Sequence, residues 1–235
     1  MPRNHNRKND ELRPVKITRR YLKYAPASCL IEFGDTKVIC SAILEDMVPL
    51  FVKGTGTGWL TAEYGMLPGS CPERIARNKT SGRTFEIQRL IGRSLRSVID
   101  FQALGEKTIK VDCDVVQGDG GTRTAAITGS YVAVVDLLKN FQKQARIAPT
   151  LVKDMVAAVS VGIIAGELRL DLEFSEDSKA DMDMNVVMRA SGDFIEIQGT
   201  AEGSPFSRAQ MNEAIDLAQR GIEELFDVQR QALSG

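Results

Sequence analysis

Apolar and polar residues alternate along several short stretches of the chain and shift to helical spacing in three longer ones. Ala27 to Phe33 and Thr36 to Leu44 read as strands, joined across Gly34-Asp35, a good two-residue hairpin turn. Trp59 to Met66 is a further extended piece. From Thr84 to about Ile99 the apolar residues Ile87, Leu90, Ile91, Leu95 and Val98 recur on one helical face, with Arg89, Arg93 and Arg96 opposite. Thr108 to Gln117 returns to alternation, with Ile109, Val111, Cys113 and Val115 facing one way. The next helix, Thr124 to about Phe141, is strongly apolar, which predicts burial against a sheet. Beyond a connector at Arg146 to Pro149 come two more hairpins. One pairs Ala157 to Ile164 with Glu167 to Phe174, and the other pairs Met184 to Ala190 with Phe194 to Gly199. Ser207 suits the N-cap of a last helix running to about Leu225.

This order favours an α+β fold, with mixed β-sheets and helices packed between and against two β-α halves. The 235 residues fit a single domain, of which about 1–13 reads as an N-terminal tail that frays. The stretch from about 68 to 82 has no hydrophobic periodicity and is long for a connection, which predicts a mobile, functional loop. Hydrophobic residues make up 43% of the chain, enough for a substantial core. No apolar run reaches membrane-spanning length and the first residues form no apolar signal segment, so no membrane association and a cytoplasmic location are expected.

The four cysteines, Cys29, Cys40, Cys71 and Cys113, include no Cys-x-x-Cys pair, so neither zinc nor a redox dithiol is indicated. Cys29, Cys40 and Cys113 lie in apolar strands and are expected in the core. The single histidine, His5, lies in the tail. Histidine triads, histidine metal sites and imidazole bases therefore leave the list, and chemistry falls to carboxylates, arginines, lysines, backbone groups and a borrowed cation.

The net charge of −1 is unevenly spread. Arg74, Arg77, Lys79, Arg83, Arg89, Arg93 and Arg96 are opposed over their span only by Glu73 and Glu86. Between Asp171 and Asp183 the balance reverses, with Asp171, Glu173, Glu176, Asp177, Asp181 and Asp183 against Lys179 alone. Such a division suits a phosphate-bearing substrate with a divalent cation, and equally two subunits attracting each other. The stripe Arg89, Arg93, Arg96 reads as a solvated face or as a contact for RNA or another subunit.

Two segments carry candidate chemistry. Gly118-Asp119-Gly120-Gly121-Thr122-Arg123-Thr124 links a strand to a helix. Its backbone N–H groups, the helix dipole and the forked guanidinium of Arg123 together suit a phosphate. It has neither the Gly-Lys-Ser/Thr of a P-loop nor dinucleotide-binding glycine spacing, and a plain loop and cap stays open as the alternative. In the second segment, an extended Asp181 to Val187 would put Asp181, Asp183 and Asn185 on one face and Met182 and Met184 on the other, with Asp177 in the turn before. Carboxylates converging so repel unless they share protons, splay into water or hold a hard cation. Mg²⁺ needs only one or two of them besides water and substrate phosphate. An acidic surface turn is the alternative.

Several motifs, in order, resemble the bacterial ribonuclease PH family over essentially the whole chain. They are Asp10-Glu11-Leu12-Arg13-Pro14, Glu63-Tyr64-Gly65-Met66-Leu67-Pro68, Ser81-Gly82-Arg83-Thr84 with Glu86 to Arg96, Asp112 to Val115 leading into Gly120 to Thr124, Glu176-Asp177-Ser178, Asp183-Met184-Asn185 and Gly199 to Gly203. The resemblance implies two similar halves in a sandwich-like fold and a hexameric ring of dimers. It also implies Mg²⁺ dependence and trimming of tRNA precursor 3′ ends, inorganic phosphate serving as co-substrate and nucleoside diphosphate leaving. By motif position, Arg83, Gly121, Thr122 and Arg123 would bind phosphate. Asp177 and Asp183 would be the catalytic and metal carboxylates, with Asp181 a helper at most. Arg74, Arg77, Arg89, Arg93 and Arg96 are the candidate RNA contacts. The chain departs from the family where Gly69 replaces an arginine after Met-Leu-Pro, where the connection to Ser81 is shorter than usual, and at Asn6-Arg7-Lys8-Asn9. The first two changes bear on the grip on tRNA, for which Arg74 and Arg77 could compensate.

The alternatives are an inactive RNA-binding ring subunit of an exosome-like assembly, a hydrolytic metal nuclease, and a small-molecule phosphotransferase. Retention of Arg83, Arg123, Asp177 and Asp183 counts against the first. The second has no use for a phosphate cradle, and the third has none for the basic stretch.

Overall fold

A computed structural model describes residues 3–77, 81–144, 146–148 and 150–235. Lys79, Pro149 and the side chain of His5, which entered the reading above, lie outside the described residues, as does the 78–80 part of the long connection.

The chain begins with a 3-10 turn, Asn4–Asn6, and then builds β1 (Val15–Arg19), β2 (Ala27–Phe33), β3 (Thr36–Glu45) and β4 (Trp59–Met66). Helices α1 (Gly82–Arg96) and α2 (Phe101–Leu104) lead to β5 (Thr108–Gln117) and the long α3 (Thr122–Lys143). The second half holds β6 (Val156–Ile164), β7 (Glu167–Leu170), the one-turn α4 (Phe174–Asp177), β8 (Met182–Arg189), β9 (Phe194–Ala201) and α5 (Arg208–Ser234). The first sheet runs β1-β2-β3-β5-β4 and is mixed, because β4 and β5 pair in parallel across the α1 crossover. The second runs β7-β6-β8-β9 and is antiparallel throughout.

The three long helices form a layer between the sheets. α3 packs on β2 and β3 on one side and on β6 on the other, α5 on β6 and β1, and α1 on β4 and β9. Burial on every side explains the apolar sequence of α3. Cys29, Cys40 and Cys113 are buried neighbours across three adjacent strands. The α+β architecture expected from the order of elements is therefore the one observed.

Four local differences have physical causes. β1 is an edge strand of only five residues, with two apolar positions and none fully buried, and its register against β2 supplies its order. α5 reaches Ser234 rather than Leu225 because Gln229, fully buried, donates to the carbonyls of Thr128 and Val156, both at 2.9 Å. The strand expected from Glu167 to Phe174 stops at Leu170. Asp171 turns to φ +53° and sends its carboxylate to Arg13 instead of continuing the pleat. From Arg3 onward the N-terminal segment is held against the fold, for Arg3, Arg7 and Arg13 are all buried.

Candidate active site

Two helix N-termini meet the second sheet at one cleft. The Ser81 hydroxyl caps α1 by accepting the Thr84 N–H at 3.2 Å, which sets Arg83 in the first turn. α3 starts after Gly121 without a side-chain cap, so the first N–H groups of the helix have no intrahelical partner. Neither first turn contains an acidic residue, leaving both positive dipole ends for an outside anion. Gly120 and Gly121 have φ of 73° and 63°, and a Cβ on Gly120 would lie 2.4 Å from the Leu172 carbonyl oxygen. Only glycine lets the loop turn this tightly against the chain that leads into α4.

The carboxylates come from the other half. Asp177 ends α4, and Asp183 and Asn185 project from β8 on the face opposite the buried Met182 and Met184, as the alternation predicted. Two adjoining cavities, of about 860 and 650 Å³, share Arg83, Arg123, Asp177, Asp183 and Asn185 as lining. Gly121, Thr122 and Arg77 line the smaller one. The candidate phosphate and carboxylate residues are thus brought together.

Burial and the neighbouring Asp177 push the Asp183 carboxyl up to about 6, against the pull of Arg123 and Arg83. Its Oδ1 is buried without a hydrogen-bond partner. Asp177 is also raised, by burial, while Arg83 and Arg123 oppose the shift. Guanidiniums and carboxylates therefore lie within Coulombic reach across the cleft. Glu202, just beyond β9, adds negative charge to both aspartates.

Tyr64, Glu86, Asn185, Gln198 and Glu202 line the cavities and are not among the candidate site residues read from the sequence. The Tyr64 hydroxyl donates to Thr122 Oγ1 at 2.8 Å. Arg123 Nη1 donates to Gln198 Oε1 at 3.1 Å and lies 3.7 Å from Glu86 Oε1. Asn185 and Glu202 complete the rim. Tyr64, Asn185 and Glu202 fall inside the motif stretches and could have been found there. Gln198 carries no local signal.

Other candidates fall elsewhere. Arg74, Arg89, Arg93 and Arg96 line neither cavity. Arg93 pairs with Glu196 at 2.6 Å, and Arg96 donates to the Leu60 carbonyl at 2.9 Å with its guanidinium 4.7 Å from the Trp59 ring centre. The stripe is in part a set of intramolecular contacts. Asp181 also lines neither cavity, and its carbonyl accepts the Glu202 N–H at 2.9 Å.

The acidic stretch is not one negative patch. Asp171, Glu173 and Glu176 face away from the cleft into a buried cluster with N-terminal arginines. Arg3 grips Glu176 through Nε and Nη2 at 2.8 and 3.0 Å, and Arg169 Nη1 reaches the same carboxylate at 3.0 Å. Arg7 lies 3.5 to 3.7 Å from Asp171, Glu173 and Glu176. Among the described residues no three His, Cys, Asp or Glu side chains converge as a cation cage. What remains at the cleft is a pair of carboxylates, enough for a Mg²⁺ that draws its other ligands from water and a bound phosphate. The unsatisfied Oδ1 of Asp183 fits that use. No helix among the described residues is long and apolar enough to cross a membrane.

Comparison with known proteins finds matches over most of the chain. Domain 1 of the 3′ exoribonuclease family matches residues 11–139, and domain 2 of the same family matches residues 154–221. A ribonuclease PH from Syntrophomonas wolfei is 57% identical over 237 residues, covering 99% of each chain. Among solved structures, rice (Oryza sativa) Rrp46 superposes with a TM-score of 0.82 at 20% identity over 99% of this chain and 100% of that one. An Archaeoglobus fulgidus exosome with RNA bound to its active site gives 0.80 at 18% identity, over 96% of this chain and 91% of that one. At such identities these two bear on the fold alone.

Proposed function

The chain belongs to the 3′ exoribonuclease family, and from that premise we propose that the cleft between Arg83, Arg123, Asp177 and Asp183 is where it shortens RNA from the 3′ end with inorganic phosphate. It is a phosphate-dependent exoribonuclease, a nucleotidyltransferase by reaction type, acting in tRNA processing. The observation that carries the assignment of the cleft is the facing of two helix-borne arginines and two aspartates across one cavity.

The reaction joins two anions. A phosphate oxygen attacks the terminal phosphodiester phosphorus, and the bond to the 3′-oxygen of the preceding nucleotide breaks. A nucleoside diphosphate and an RNA shorter by one residue result. Arg83, Arg123 and the N–H groups at Gly121-Thr122 offset the repulsion and hold the attacking phosphate in line. The arginines enter the cleft from helix ends whose dipoles act in the same sense. Gln198 and Glu86 fix the plane of the Arg123 guanidinium, and Tyr64 orients Thr122. No protein nucleophile is needed, in keeping with a single histidine at position 5. Asp177 and Asp183 would hold Mg²⁺, which when bound withdraws charge from the phosphoryl oxygens.

The RNA strand enters past Arg77, which lines the cavity with Ile75 and Ala76. Arg74 and Arg89 are exposed and free to meet phosphates farther from the cleft. The substrates are tRNA precursors and other RNAs with a free 3′-hydroxyl. The chain works in the cytoplasm as a hexameric ring of dimers. The exposed Tyr24, Met47, Leu50 and Phe51 are the kind of apolar surface that an assembly covers.

Incubation of a 3′-hydroxyl RNA with Mg²⁺, with and without inorganic phosphate, followed by chromatography of the products, tests this reading. Nucleoside diphosphates appearing only with phosphate are the expected outcome. Monophosphates would mean hydrolysis, and intact RNA would mean a binding subunit.

A further inference from the structure

Behind the glycine loop, on the side away from the cleft, lies a side chain that the reaction as written does not use. Arg13 is 2% exposed and stands where the N-terminal segment crosses beneath Gly120-Gly121. Its Nη1 donates to the Asp119 carbonyl at 2.6 Å and its Nη2 to the Gly120 carbonyl at 3.4 Å. The opposite edge of the guanidinium grips Asp171, Nε to Oδ2 at 2.9 Å and Nη2 to Oδ1 at 2.7 Å, while the Arg13 N–H donates to Oδ2 at 2.8 Å. Thr36, fully buried, completes the clamp: its hydroxyl donates to the Gly120 carbonyl at 2.6 Å and accepts the Asp119 N–H at 3.0 Å.

The consequence is directional. The carbonyls of Asp119 and Gly120 are held inward by buried donors, so the peptide groups of the loop are fixed and the N–H groups that follow, at the start of α3, are aimed into the cleft. A guanidinium can bond two successive carbonyls and a carboxylate at once because its donors lie in a rigid plane. A hydrophobic residue of equal volume would fill the space without setting the peptide planes. The room behind the loop is taken by this fork: a Cβ on Gly121 would come within 2.9 Å of Arg13 Nη2.

We propose that Arg13 and Thr36 are positioning residues for the attacking phosphate. Braced by Asp171, they set the orientation of the Gly120-Gly121 peptides and hence of the anion on the α3 N-terminus. This rests on the phosphorolytic reading of the cleft. The reacting phosphate is touched by the loop and by Arg123, and Arg13 and Thr36 act only through the loop.

The test is kinetic, with a split that general loss of stability does not produce. In Thr36→Val the hydroxyl is lost but the buried ion pair remains. In Arg13→Lys the charge opposite Asp171 remains but the fork is lost. Both should raise KM for inorganic phosphate about tenfold or more, the scale of cost when a bound group is misplaced, while KM for RNA stays as in the unaltered protein. Thr36→Ser, which keeps the hydroxyl, should restore the phosphate KM. Arg19→Lys serves as the control. It disturbs another arginine–aspartate fork, a part-buried one on Asp136, roughly 20 Å along α3 from the loop, and should lower Tm without moving the phosphate KM. A phosphate KM unchanged in Thr36→Val and Arg13→Lys, or one rising only in step with the RNA KM, overturns the proposal while the phosphorolytic reading stands. RNA consumption by the unaltered protein that is indifferent to phosphate would overturn both.

Discussion

Asp183 shares its cleft with Asp177, and burial together with that neighbour pushes the Asp183 carboxyl up to about 6. The same carboxyl has a buried oxygen with no hydrogen-bond partner. These features describe a group costly to ionise on its own and suited to ionise against a cation.

The stability of the cation-free protein should therefore depend on pH in a defined sense. The folded pKa of Asp183, about 6, lies above the unfolded value of about 3.9. The folded state binds the extra proton between these values, so the contribution is complete below about pH 4 and is lost as pH rises through about 6. Its size is on the order of 2–3 kcal/mol. Mg²⁺ should offset the loss, and its half-saturating concentration should climb as pH falls below about 6, because proton and cation compete. Thermal melts with and without Mg²⁺ at about pH 5 and about pH 7.5 measure this, and equal gains at the two would count against a charged Asp183 holding the cation.

Asp183→Asn should cut phosphorolysis by about 10²–10³-fold, the usual cost of one positioned electrostatic contact. RNA binding should persist, because Asn keeps the size of the side chain and the candidate RNA contacts, of which only Arg77 lines the cleft, are left in place. Release of nucleoside diphosphate from a labelled RNA, beside a gel-shift titration, separates the two effects. Near-normal turnover would exclude a necessary charge at this position.

Arg83→Ala and Arg123→Ala should each raise the phosphate concentration needed for half-maximal rate sharply, on the order of 10²-fold, with little change in Tm. Both side chains leave the first turn of a helix toward the cavity and neither is buried in the core. A phosphate titration at saturating RNA is the measurement. An unchanged requirement would remove that arginine from the anion site.

Asp171→Asn should cost about 3–5 kcal/mol of stability, since it leaves Arg13 buried without its counter-charge. Burial opposes ionisation of Asp171, but Arg13 and Arg7 prevail and hold its carboxyl below the usual range. The contribution is therefore present above about pH 4 and is lost as pH falls through the folded pKa. Urea midpoints across the acid range should decline more steeply in the unaltered protein than in Asp171→Asn. Parallel decline would mean that the pair contributes no linkage.

Gly120→Ala should destabilise the loop by roughly 1–3 kcal/mol from its positive φ alone, and further because the new methyl meets the Leu172 carbonyl and the Glu173–Phe174 peptide. Phosphate affinity should fall with it. A Tm equal to that of the unaltered protein would mean that the turn relaxes at no cost.

Much of this protein is legible along the chain because its signals are local. Hairpin turns, the alternation of β5 and β8, the N-cap at Ser207 and the glycine run before α3 each depend on residues within a few positions. The side on which Asp183 and Asn185 fall follows from the period of a strand. Local pattern said less about the charges, because a charge reads the same whether it meets solvent, substrate or a partner far along the chain. Asp171, Glu173 and Glu176 look like companions of Asp177, yet they turn the other way to meet Arg3, Arg7 and Arg13 from a segment expected to fray. Arg96 looks like part of a basic face, yet it lies over Trp59.

By itself, then, the sequence determined the elements, their buried faces, and the residue types available for binding an anion and a cation. Only the tertiary structure decided which charges share a cavity, which neutralise one another behind it, and that Arg13 and Thr36 stand under the glycine loop. The physical reason is that periodicity acts over a few residues of backbone. Ion pairing in a buried space depends on which distant segments the packed core brings within a few ångströms.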